Sequence, residues 1–198
     1  MNKYTIEQSG RSMIEMLGVL AIVGVLSVAG IAGYSKAMAK YKVNKLTDQV
    51  TMTAANIKTT FAGQGDYNGL TNDVAHSLGV FPEEMDKDCG PASCKPKNAM
   101  GGDIEVKVTT SDKYSFDMTV SGITKDACST LATADWGSAA GFKGIVASGI
   151  DGCDDDICTP ANLQSEAITI ASKICTQKKL QDGTSGGDNS YSITWRFY

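Results

Sequence analysis

The sequence has four prolines in 198 residues, and the first is Pro82. Nothing in the opening eighty residues therefore forces a helix to stop. Between Met16 and Tyr34 there is no charged residue at all, which rules out a solvated surface segment there. Cysteine is missing before residue 89, so covalent cross-links are confined to the later part of the chain. Histidine occurs once, at His76, in a short polar-apolar segment that marks a surface residue and not a catalytic base. No glycine-rich loop followed by Lys-Ser or Lys-Thr is present to cradle a phosphate. An enzyme is not expected, and neither is a cofactor.

What the opening does hold is GRSMIEMLGVLAIVGVLSVAGIAGY, Gly10 to Tyr34, a run of about twenty apolar or small residues behind one acid, Glu15. A bilayer-spanning helix needs about twenty such residues. A cleavable secretory signal would place its small-residue cleavage site after the apolar core, whereas Ser9-Gly10 lies before it. Beyond the run, Val43, Leu46, Val50, Ala54, Ile57 and Phe61 recur at steps of three and four, an apolar stripe at helical period. The first convincing stop is Gly63-Gln64-Gly65. One helix from Ser12 to Ala62, roughly 75 Å long, is the expectation, apolar all round in its first half and amphipathic in its second. Gly18, Gly24, Gly30 and Gly33 weaken such a helix in water but permit close approach in lipid.

Charge is uneven along the chain. From Arg11 to Ala62 six basic residues face two acids, and from Gly63 onward eleven basic residues face nineteen acids. A basic stalk and an acidic remainder attract one another between copies, and specific nucleic-acid binding is not expected of the acidic part.

Six cysteines fall at Cys89, Cys94, Cys128, Cys153, Cys158 and Cys175. CGPASC and CDDDIC share one spacing and suit a four-thiolate zinc site. A region beyond a membrane instead favours disulfides, and six cysteines allow fifteen pairings between which spacing does not choose. Asp151, Asp154, Asp155 and Asp156 form an acidic loop able to offer oxygens to calcium, without EF-hand spacing and with Cys153 interrupting it. The remaining pattern is α+β. Ile104, Val106 and Val108 alternate, as do Tyr114, Phe116, Met118 and Val120, with Thr110 to Lys113 as the turn. Thr124 caps one helix and Thr159-Pro160 opens another, whose inner face is Leu163, Ala167, Ile170, Ala171 and Ile174. Phe142 to Ala147 and Tyr191 to Phe197 read as further strands.

The run Gly10-Arg11-Ser12-Met13-Ile14-Glu15 with its apolar continuation resembles the processing signal of type IV pilins. The segments Tyr114 to Leu131 and Gly65 to Pro82 are similar to parts of the IVb branch. The resemblance implies a ladle fold in which a long amino-terminal transmembrane and spine helix packs on an antiparallel sheet in a disulfide-braced head. It divides the chain into a leader (1–10), a long helix (11–62, its transmembrane part about 13–34) and a globular head (63–198). It also implies cleavage after Gly10 by a prepilin peptidase and N-methylation of the new first residue, here Arg11 where Phe or Met is usual. Glu15 then stands fifth, placed to meet the freed amino terminus of a neighbouring copy. Pairing of Cys128 with Cys175 follows from the same likeness, with Cys89–Cys94 and Cys153–Cys158 as local clips. The expected function is a pilus subunit, held in the inner membrane with its head in the periplasm, then assembled by dedicated machinery into an extracellular homopolymer for adhesion, aggregation, motility or DNA transfer. Alternatives are a minor pilin, a pseudopilin of type II secretion, whose calcium loop Gln181 to Asp188 faintly resembles, and a membrane-anchored periplasmic binding protein.

Overall fold

The computed structural model describes residues 13–90, 93–137, 141–147, 150, 153, 156–175 and 191–198. The chain divides into two units, Met1–Lys40 and Tyr41–Tyr198. Helix α1, Met13–Phe61, runs through both. In the first unit its side chains are exposed on every side. Ile14, Leu17, Val25, Leu26, Val28 and Ile31 are all more than 60% accessible.

In the second unit the same helix turns amphipathic and buries Leu46, Gln49, Val50, Thr53, Ala54, Ile57 and Phe61. The i, i+3, i+4 spacing puts these on one face. Leu46, Val50, Ala54, Ile57 and Phe61 share a single hydrophobic cluster with the sheet residues Ile104, Val106, Phe116, Met118, Val120 and Trp195. Two buried polar residues on that face are spoken for. Gln49 donates to Glu84 Oε1 at 2.8 Å and accepts from the Ala99 N–H at 2.9 Å, and Thr53 donates to Met85 Sδ. Asn56 donates to the Val80 carbonyl at 2.8 Å. The loop after α1 is thereby held to the helix by polar as well as apolar contacts.

Among the described residues the strands are β1 (Ile104–Thr109), β2 (Asp112–Ile123), β3 (Phe142–Val146), β4 (Ile157–Cys158) and β5 (Tyr191–Phe197), in the spatial order β1-β2-β5-β3-β4. Every neighbouring pair is antiparallel. The last strand lies in the middle of the sheet, so its inward residues Ile193, Trp195 and Phe197 are almost fully covered. A line of rings follows from Phe61 through Tyr67, Phe116, Phe197 and Phe142 to Trp136 and Trp195, with neighbouring centroids 4.8 to 6.3 Å apart. These are distances at which aromatic pairs attract beyond simple burial.

The hairpin turn is tighter than the Thr110 to Lys113 expected, because β2 already begins at Asp112. At the far end of β2, Gly122 has φ +71° and lies against Gly102, where an added Cβ would come 1.9 Å from the Ser121 carbonyl oxygen. Two glycines meeting there allow the register shift between Val120 and Ile123.

Three further helices lie among the described residues of the unit. The six-residue α2, Asn72–Ser77, was not anticipated, since the segment is too short to show a period. Thr71 caps it by accepting from the Val74 N–H. Thr124 caps α3, Lys125–Ala132, in the same manner. Helix α4, Pro160–Ile174, starts behind Thr159 and buries Leu163, Ile170, Ala171 and Ile174. Ala167, expected on that inner face, is only half buried, because Glu166 leaves helical geometry (φ −132°, ψ 29°) and rotates the next turn.

Candidate functional site

Among residues 13–34 of the first unit the polar side chains are Glu15, Ser27 and Tyr34. Glu15 sits in the first turn of α1, where a negative charge complements the unsatisfied N–H groups of the helix start. Ser27 returns its hydroxyl to the Val23 carbonyl at 2.8 Å, which hides that polar group within the helix. Gly18, Gly24, Gly30 and Gly33 all face open space. The helix is long and apolar enough to cross a membrane by length and composition. Gly10 and Arg11 lie outside the described residues.

In the second unit the six cysteines form three disulfides: Cys89–Cys94, Cys128–Cys175 and Cys153–Cys158. The longest bridge joins the buried face of α3 to the end of α4, which brings the late helix back onto the sheet. The two short bridges each close a five-residue separation. With both CGPASC and CDDDIC oxidised, their four sulfurs are not available as thiolates. Of the acidic loop, Asp156 is exposed with a left-handed φ of 64°, while Asp151, Asp154 and Asp155 lie outside the described residues, as does Gln181 to Asp188.

Electrostatics on this unit are structural. On the outer face of the sheet Arg196 donates two hydrogen bonds to Asp117, Nε–Oδ1 2.6 Å and Nη2–Oδ2 2.9 Å, and Thr109 adds a third at 3.0 Å. The pairing raises the Arg196 pKa. Asp112 is held below its ordinary value first by the Ser115 hydroxyl and then by the Tyr114 N–H, with Lys143 adding to both. Glu84 is lowered chiefly by Lys45, at 2.6 Å, and then by Gln49. An open groove of about 620 Å³ beside α1 is lined by Tyr41, Lys45, Gln49, Met52 and Glu84 among others.

His76 is partly exposed, but it has a partner that the sequence did not point to. Its side chain is about 31% accessible and its Nδ1 lies 2.7 Å from both oxygens of Asp86, next to the Cys89–Cys94 bridge. No spacing in the sequence announced that meeting, because α2 and the loop that folds back on it were both unseen there.

A helix whose apolar surface no other described residue covers, continuing into a cross-linked α+β unit, has the character of a structural subunit that associates through that helix. Family comparison makes this specific. The Bundlin family model matches residues 36–183, and the chain belongs to that family. It is 26% identical over 143 residues to the "Major structural subunit of bundle-forming pilus" of Escherichia coli O127:H6 (strain E2348/69 / EPEC), covering 72% of each chain. The protein of the same description from Escherichia coli O111:H- is 25% identical over 139 residues, covering 70% of each. Among solved structures, "TcpA, a Type IV pilin from Vibrio cholerae El Tor biotype" matches with TM-score 0.46 and 16% identity over 80% of this chain and 99% of that one. The resemblance to type IV pilins of the IVb branch, and the α+β fold with its long amino-terminal helix, stand. The chain is a structural protein and not an enzyme.

Proposed function

We propose that this chain is the repeating subunit of a type IVb pilus. Residues 1–10 form a leader removed after Gly10 by a prepilin peptidase, residues 11–62 the polymerising helix and residues 63–198 the head displayed on the filament. The observation that supports this reading most strongly is the exposure of Met13 to Ile31 on all sides of α1 in a member of the Bundlin family. Fully burying one such side chain is worth about 1.5–3 kcal/mol, and the fold uses none of it. The relatives' description as major structural subunits of a bundle-forming pilus points to the major rather than a minor component. Before assembly the helix sits in the inner membrane with the head in the periplasm, and the pilus assembly machinery then transfers it to an extracellular homopolymer.

Glu15 supplies the register. A carboxylate near lipid is costly without a partner, and cleavage creates an amine at Arg11 on a neighbouring copy. Glu15→Ala should leave insertion and cleavage intact while cutting filament yield. Mass spectrometry of sheared surface filaments tests the whole reading. A dominant species beginning at Arg11 is expected, its mass also reporting any methyl group. A chain that keeps Met1 to Gly10 and is missing from filaments would refute it in favour of an anchored binding protein. Wild-type filament yield from Glu15→Ala would remove Glu15 from the register role.

A further inference from the structure

Within the stretch from α2 to the CGPASC loop, four side chains of metal-binding type converge: His76, Asp86, Cys89 and Cys94. One ligand atom from each lies within 4.8 Å of all the others. His76 comes from α2, and Asp86 and Cys89 share one turn through the Cys89 N–H, which donates to the Asp86 carbonyl at 3.0 Å. Cys94, nearly fully buried, is fixed by its own N–H, which donates to Asp73 Oδ1 at 2.7 Å, and its sulfur lies 3.7 Å from Asp86 Oδ1. The Cys94 backbone is therefore held whether or not its sulfur is bonded to Cys89.

We propose that the Cys89–Cys94 clip, once reduced, forms with His76 and Asp86 a four-ligand site for Zn²⁺. In a tetrahedral site with Zn–S about 2.3 Å and Zn–N and Zn–O about 2.0 Å, the two sulfurs stand about 3.8 Å apart and the nitrogen and oxygen about 3.3 Å. Breaking the bridge lets the sulfurs separate to that distance, and the 2.7 Å His76–Asp86 contact opens by about 0.6 Å. Two thiolates with an imidazole select zinc over the hard cations calcium and magnesium. In the oxidised clip just one nitrogen and one carboxylate remain as donors, too few to hold the ion, so binding is gated by the redox state.

The chemistry balances. A dithiol reductant exchanges with the Cys89–Cys94 disulfide, is itself oxidised to its disulfide, and leaves two protein thiols. Zn²⁺ then binds both sulfurs as thiolates and two protons pass to solvent. Bound metal engages one lone pair on each sulfur, lowers their nucleophilicity and so opposes closure of the bridge. A chain whose cysteines have not yet been oxidised would be held open at this loop until zinc leaves. The inference stands apart from the filament reading, because it is tested on the isolated chain.

The test uses the full chain in detergent micelles, carrying Cys153→Ser and Cys158→Ser to remove the other close pair of thiols, and reduced with a water-soluble phosphine that does not bind the probe. Co²⁺ is titrated in and its thiolate charge-transfer and tetrahedral absorption are followed, then displaced with Zn²⁺. The reduced chain should take up Co²⁺ with equal stoichiometry to chain, and the oxidised chain should show no such bands. His76→Ala and Asp86→Ala, both at half-buried positions, should fold and each weaken binding by roughly 10- to 100-fold or more, since groups even one shell further out have effects of that size. Zn²⁺ should slow reoxidation of the pair at least about tenfold. The proposal is overturned if the reduced chain gives no thiolate band. It is equally overturned if the band persists in Cys89→Ser/Cys94→Ser, or if His76→Ala and Asp86→Ala both bind as tightly as the parent.

Discussion

Replacing Asp117 by Ala removes the carboxylate to which Arg196 donates two hydrogen bonds across the central strands β2 and β5. The side chains are about 10% and 14% accessible, so the guanidinium left behind has little water to turn to. It also has no neutral form to retreat into, because arginine does not deprotonate in proteins. Orphaning one member of a fully buried pair costs about 3–5 kcal/mol, and the residual exposure here puts the expected loss near the lower end, about 3 kcal/mol. The Thr109 hydroxyl loses its acceptor in the same step. The pair itself is worth much less, because both charges were desolvated to make it. Asp117→Leu with Arg196→Met should therefore recover most of the loss and lie within about 1 kcal/mol of wild type. Urea unfolding of the full chain in detergent, followed by tryptophan emission, reads this directly, since Trp195 neighbours Arg196 on β5 and packs against Trp136. An Asp117→Ala midpoint indistinguishable from wild type, or a double variant as unstable as Asp117→Ala, would refute the reasoning.

The Cys128–Cys175 bridge closes a separation of 47 residues and Cys153–Cys158 one of 5. The chain-entropy relation gives about 4 and about 2 kcal/mol respectively, so Cys128→Ala/Cys175→Ala should lower the urea midpoint about twice as far as Cys153→Ala/Cys158→Ala. Asn72 serves two backbone groups of the edge strand β1, donating to the Ile104 carbonyl at 2.9 Å and accepting from the Val106 N–H at 2.8 Å. Asn72→Ala should cost about 2 kcal/mol and speed hydrogen exchange at Val106, and unchanged exchange there would count against it. Asp112 and Glu84 both have folded pKa values lowered by their partners, so their contribution is complete above the unfolded values near pH 4 and disappears as pH falls through the lower folded ones. Urea midpoints should drop below about pH 4, and Asp112→Asn should be less stable at neutral pH with a shallower acid fall.

Where local pattern and tertiary environment agreed, the fold was legible. The stripe from Leu46 to Phe61 is buried because one face of α1 meets the sheet, and β5 falls on Tyr191 to Phe197 because alternation there matches a central strand. Signals failed where elements were too short to repeat their own period. The six residues of α2 and the two of β4 carry no repeat to read, and β4 exists only because β3 offers it an edge. The departure at Glu166 within α4 was invisible for the opposite reason, since the apolar spacing on either side continued as though the helix were regular. At the candidate sites, Glu15 was legible because a charge before a lipid-like run is conspicuous in one dimension. The meeting of His76 with Asp86 depends on a loop folding back on a helix, which no spacing encodes.

Helix α1 also explains why one acid should matter so much in the proposed assembly. In water the exposed apolar surface of residues 13–34 would drive association by itself, but a subunit stored in lipid, as proposed, would have that driving force already satisfied. Moving such a helix from acyl chains into a bundle of its copies exchanges one apolar neighbour for another, so hydrophobic transfer contributes little to the step. What remains is packing at small residues such as Ala29, Gly33 and Ala37 and the pairing of polar groups poorly served by lipid. Glu15 is the one acid in that stretch, and in the proposed assembly a cut neighbour would offer it an amine in addition to the Arg11 guanidinium. Its pairing would thus tip a nearly balanced exchange toward the filament and favour processed subunits.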